Sequence, residues 1–208
     1  MKTRLALMAS WSAIPAALLL LGAALVAAAA LDGYSHARHP LALLGADGVR
    51  GAGGFNLLGW GLPGLLLALQ AVLLRECLSG GRAFAARMGA WMLMLSAMAF
   101  AAQGVWPLDP GDLDGAGSRY HAAAWTLWWI AYVTGGCLLA VGSPPGSGRA
   151  RAMLVLSAGA VLALVLAARA GMSPALAGRL AIVAWLAGYL ACGALMRRAR
   201  SAGPVPGA

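Results

Sequence analysis

Three histidines and a small set of aspartates carry most of the reactive side-chain chemistry of this 208-residue chain. His36 and His39 stand three apart in "LDGYSHARHP", and His121 follows "WPLDPGDLDGAGSRY", which contributes Asp109, Asp112 and Asp114. Imidazole nitrogen and carboxylate oxygen serve as metal ligands and as acid–base pairs when they converge and leave a position for water or substrate. Histidines at i and i+3 share a face wherever the chain turns helically. His121, as acid/base or ligand, with Asp109 as its orienting carboxylate, is the candidate catalytic pair. Asp32, His36, His39, Asp112, Asp114 and Asn56 are the candidate contacts to a ligand or partner. No cofactor is predicted; a divalent metal, if held, would fall to His36, His39, His121 and Asp109, although no HExxH or other tight signature calls for one. Each aspartate also has a plainer role, because Asp beside Pro and Gly is ordinary turn chemistry.

The elements that must position these residues follow from composition. The chain is 62% hydrophobic and 10% charged, whereas an average soluble domain is roughly 25% charged. Six apolar runs occur, at about 10–31, 55–74, 88–106, 122–141, 152–168 and 180–196. Each approaches the roughly 20 residues needed to cross about 30 Å of hydrocarbon at about 1.5 Å per residue. With no water in the bilayer to satisfy N–H and C=O groups, each run must close its own hydrogen bonds as a helix. The predicted fold is all-α: a polytopic transmembrane bundle of six spans, one domain over 1–200, with a disordered tail at 201–208.

The first run, between "MKTR" and "VAAAALDG", also resembles a secretory signal. Its apolar stretch exceeds the about 7–15 residues of such a segment and is read as a span; cleavage would leave five. Pro63 is expected to kink the second helix, Pro107 to end the third and Ser118 to cap the fourth, with "PLALLG" after Pro40 forming a half-turn or short interfacial helix.

Charge sets the orientation. With the N-terminus inside, Lys2, Arg4, Arg75, Arg82, Arg87, Arg149, Arg151, Arg197, Arg198 and Arg200 fall inside, and Arg38, Arg50, Arg119, Arg169 and Arg179 outside. That bias satisfies the positive-inside rule. Both termini are then cytoplasmic, and all three histidines and every acid except Glu76 lie on the outer face. The scattered arginines form no continuous basic stripe, so nucleic acid is not an expected partner. Cys77, Cys137 and Cys192 lack CxxC spacing and are expected to pack. Most of the eight tryptophans lie near run ends, where headgroups suit them. Asn56, Gln70, Ser96, Gln103, Thr126 and Thr134 are expected to hydrogen-bond between helices. The scarcity of charge inside the spans speaks against a proton-driven transporter.

The order of these motifs resembles a known group. A His/Pro loop after the first span, "FNLLG" opening the second, "WPLD" closing the third and His121 opening the fourth are similar to bacterial integral membrane proteins grouped as "domain of unknown function 998". The likeness covers nearly the whole chain, with Asn56, Gly59, Pro107, Asp109 and His121 as matching positions. The resemblance implies a six-helix inner-membrane protein and supplies no activity, substrate or cofactor. The expected function is that of a multi-pass protein of the bacterial cytoplasmic membrane with a polar His/Asp site on its outer face. Its role would be structural or sensory, or binding of lipid headgroups or another membrane protein. The alternative is a membrane enzyme of hydrolase or transferase type acting on a lipid or envelope precursor, and behind that a small-solute transporter.

Overall fold

Proline and glycine decide where the apolar runs bend. The computed structural model describes residues 2–78 and 83–201, so Arg82 and the expected tail beyond Ser201 lie outside the described residues. The helices are α1 (Lys2–Ala9), α2 (Ala13–Ala29), α3 (Ala52–Cys77), α4 (Ala83–Ala102), α5 (Ala116–Gly142), α6 (Gly148–Arg169) and α7 (Pro174–Ser201). No strand occurs among the described residues. The five helices from α3 to α7 are long and apolar enough to cross a membrane. At 17 residues α2 is shorter, reaching about 26 Å at about 1.5 Å per residue.

The expected first span, 10–31, therefore starts late, at Ala13, and Pro15 is the reason. Proline has no N–H for the Trp11 carbonyl and its ring crowds that oxygen. The chain tightens instead into three-residue turns, with Trp11 N donating to Met8 O at 3.0 Å and Ser12 N to Ala9 O at 3.1 Å. Arg197 secures the break from α7: Nη1 donates to Ser10 O at 3.0 Å, and the guanidinium lies 4.0 Å over the Trp11 ring.

Other boundaries moved for comparable reasons. Pro63 does not make a simple kink, because residues Asn56–Gly61 of α3 form a π-helical turn. Pro63 cannot donate to Gly59, and the wider turn upstream takes up the mismatch. It also swings Trp60 inward, to 1% exposure. Helix α4 stops at Ala102, before Pro107, where Gly104 meets the π turn closely: a Cβ on it would lie 2.5 Å from Asn56 O. Helix α5 begins at Ala116 after Gly115, so Ser118 does not cap it. Its hydroxyl instead accepts from Asp109 N at 3.0 Å and donates to Asp112 O at 2.9 Å, closing the aspartate turn. The fifth run lengthens to the 22 residues of α6. "PLALLG" becomes a 3-10 turn, Leu41–Gly45, with Leu44 and Gly45 buried beneath the surface.

From α2 onward successive helices pack side by side, α1 lies against α3 and α7, and α7 closes onto both α2 and α3. In lipid the hydrophobic effect does not drive helices together, so close approach through small residues matters more. Between α4 and α5 it is extreme: a Cβ on Gly89 would sit 2.6 Å from Leu139 N, and one on Gly135 2.9 Å from Gly89 O. The interior is filled by aromatic rings, Trp60 on Phe100 at 4.8 Å and Phe100 on Trp185 at 4.4 Å between centroids. Trp60, Trp128 and Trp185 are thus core residues and not headgroup anchors, since large flat rings fill the gaps between helices. Cys192 is buried as expected, but Cys137 is exposed.

Three connections gather at one end of the bundle. Asp47 N donates to Leu108 O at 2.9 Å, joining the loops after α2 and α4, and Ser173 Oγ donates to Ala37 O at 3.1 Å, adding the turn before α7. All three histidines belong to this end, which is called the histidine end below.

Candidate functional site

A cavity of about 360 Å³ opens at the histidine end, within the roughly 300–1,000 Å³ usual for small-ligand pockets. Its polar wall is Gln103, His121, Thr126, Arg169 and Arg179, and Trp60, Trp125 and Trp129 give it flat apolar faces. No carboxylate lines it.

His121 stands in the second turn of α5 and is 8% exposed. Its Nδ1 lies 3.0 Å from the Trp106 carbonyl. A carbonyl can only accept, so Nδ1 carries the proton, and in a neutral ring Nε2 is then left as the acceptor. The ring meets Trp60 edge-on at 6.3 Å between centroids. The Trp106 main chain thus does the orienting expected of Asp109, whose Oδ1 accepts from Gly111 N at 2.8 Å within its own turn.

Gln103, just past the end of α4, is fully buried, and neither amide atom has a hydrogen-bond partner among the described residues. Most buried polar groups are paired; Gln70 Oε1 and Trp128 Nε1 also lack partners among the described residues, but Gln103 has neither amide atom paired. Gln70 Nε2 donates to Tyr189 O at 2.9 Å, and Ser96 Oγ accepts from Trp185 Nε1 at 3.1 Å, both across helices as expected. Thr126 only bonds back to Ala122 O at 2.9 Å in its own helix.

Arg179 on α7 is held by neutral oxygens. Nη1 donates to His39 O at 3.0 Å and Ala175 O at 2.9 Å, and Nη2 donates to Tyr34 Oη at 2.5 Å. Its charge meets no carboxylate among the described residues, where the ion pair formed is Arg75 with Glu76 at the other end. Burial raises the Tyr34 pKa above its ordinary value, and the Arg179 charge and hydrogen bond only partly oppose that. The phenol therefore stays protonated and donates to Pro40 O at 3.3 Å.

The remaining sequence candidates are dispersed. His36 and His39 flank the Tyr34 ring at 5.3 and 5.6 Å between centroids. His39 Nδ1 accepts from Ser35 N at 2.9 Å, while His36 is exposed. Asp32, Asp112 and Asp114 are exposed, and Asn56 donates to Gly45 O at 2.9 Å, pinning the 3-10 turn to the π turn. Among the described residues no three His, Cys, Asp or Glu side chains converge as a metal-binding group, and no histidine pairs with a carboxylate. His36, His39, His121 and Asp109 are thus not gathered into one centre. In the sequence Arg169 and Arg179 bear on topology, and "RAGMSPALAGR", two arginines with no acid between them, is the signal of a further role. Comparison of the chain with protein-family models, with curated proteins and with solved structures gives no match.

Proposed function

We propose that this chain crosses the bacterial cytoplasmic membrane six times with both termini inside, and that its outer-facing cavity binds a small polar group presented at the bilayer surface, as a lipid headgroup is. The basic residues of the opposite end support the orientation, and α2 supplies the sixth span. Membership of the "domain of unknown function 998" family is part of the same proposal and rests on the matching motifs alone.

One observation carries the binding reading: a fully buried amide without a partner, Gln103, stands in the wall of a cavity shared with His121 and an arginine that faces no acid. Guanidinium donors, an imidazole acceptor and an amide that does both suit a hydrogen-bonding ligand, and tryptophan faces suit its carbon skeleton. The test is mass spectrometry of small molecules that purify with the protein. Wild type is expected to carry a polar-headed amphiphile that Gln103→Met has lost; identical content in both preparations would refute the reading.

The His121 tautomer favours a second reading, since an acceptor Nε2 held from behind is also a general base. A membrane hydrolase or transferase would use it on the bound molecule. If His121→Gln binds that molecule but leaves it unprocessed where wild type converts it, the site is catalytic; if wild type converts nothing, it is a binding site.

A further inference from the structure

Beside the cavity, α2 and α7 enclose a second hollow of about 570 Å³. Its walls are aliphatic, including Ala17, Leu20, Leu21 and Ala24 from α2 and Leu186 and Ala187 from α7, and polar groups enter through His36 and Arg179. Along α7 it runs from Arg179 to Leu190, about 16 Å at about 1.5 Å per residue. That is close to half of the roughly 30 Å hydrocarbon layer. The hollow therefore has the depth of one leaflet, its polar end being the histidine end.

Leu41, Arg179 and Ile182 line both hollows, so the two adjoin at these side chains. Neither lining contains a carboxylate, whereas together they contain Arg169 and Arg179. A guanidinium at the mouth of an aliphatic slot, uncompensated by acid, matches a phosphate ester joined to an acyl chain.

We infer that the α2–α7 groove seats one acyl chain of an anionic phospholipid from the outer leaflet, with its phosphate on Arg179 and its headgroup directed into the His121 cavity. This rests on the reading of that cavity as a headgroup site and adds the sign of the charge and the route of the chain. The fixed contacts of Arg179 to His39, Ala175 and Tyr34 hold the guanidinium in place before lipid arrives, so little side-chain entropy is lost on binding.

The test uses the full chain in nanodiscs of phosphatidylcholine containing a minor fraction of phosphatidylglycerol, followed by release into detergent and native mass spectrometry of retained lipid. Wild type should hold phosphatidylglycerol at least tenfold above its share of the bilayer. Arg179→Gln should abolish that preference, while Arg38→Gln, the same charge change on an exposed residue lining neither hollow, should keep it. Arg179 also ties down the first loop, so Ala187→Phe supplies a test that leaves those bonds intact: filling the groove should cut retained lipid at least tenfold. Retention in the bilayer ratio, or enrichment that survives both Arg179→Gln and Ala187→Phe, would overturn the inference. If those two variants lose lipid and Gln103→Met does not, the groove stands and the cavity reading falls; the reverse pattern keeps the cavity and removes the groove.

Discussion

Replacing Gln103 by methionine should separate folding from binding. Methionine keeps the unbranched shape and nearly the volume of glutamine while removing its amide. The Gln103 side chain makes no hydrogen bond among the described residues, so none is lost, and both of its buried amide atoms are relieved. Each unpaired buried polar group costs about 1–3 kcal/mol. In a membrane the unfolded reference state also finds partners, which lowers the difference. The net expectation is that the ligand-free protein gains about 1–3 kcal/mol, judged on the lower part of that scale. Gln70→Met is the internal comparison: it relieves Oε1 but gives up the 2.9 Å bond to Tyr189 O, so its effect should be near zero. Reversible unfolding in mixed micelles, after lipid exchange, measures both. Binding should move the other way, with the co-purifying amphiphile weakened at least about tenfold, or about 1.4 kcal/mol. A loss of stability in the ligand-free Gln103→Met protein would show that the amide is satisfied from within the fold, and the argument for a ligand there would fail.

Four further outcomes follow from the packing. Gly89→Ala places a Cβ 2.6 Å from Leu139 N, so α4 and α5 must part; a loss of about 1–3 kcal/mol or more should appear in the same unfolding assay, and an unchanged midpoint would contradict the contact. Asn56→Leu removes the donor to Gly45 O and leaves that buried carbonyl unpaired at a cost of about 1–3 kcal/mol, read as faster amide exchange confined to Leu41–Gly45. Arg197→Gln frees the Ser10 carbonyl and the Trp11 ring, so Trp11 emission should shift and limited proteolysis should begin near residues 10–12; protection equal to wild type would count against the latch. Because the folded pKa of Tyr34 is raised, its contribution to stability is complete below the ordinary tyrosine value, about 10, and is lost as pH rises through the raised one. Alkaline ultraviolet titration of wild type against Tyr34→Phe should therefore lack one late-titrating tyrosine.

Several features of the site are legible in the sequence. His121 stands out by its residue type at the opening of a helix, and it does line the cavity. Its expected partner Asp109 does not orient it, because a short aspartate next to Pro and Gly satisfies itself on the backbone two residues on, leaving a main-chain carbonyl as the nearest acceptor. Gln103 was recognised as polar within a span, but whether such a residue meets a neighbouring helix or a hollow depends on how that helix end is turned. Pro15 was equally visible, yet its consequence at residues 10–12 emerges only with Arg197, 187 positions away from Ser10, closing the break.

What the amino-acid order determined by itself is the helical class, the approximate number and length of apolar elements and the separation of basic from histidine-bearing ends. Those properties depend on run length and counting, because in lipid every backbone group must be satisfied within its own segment. Which face of each helix looks inward was decided only in three dimensions. The long helices are apolar on all sides, so no polar stripe marks their outer surface, and rotation is set by where glycines let helices touch and where rings fit between them. The meeting of Gln103, His121 and Arg179 around one cavity, and its adjacency to the α2–α7 groove, are products of those rotations.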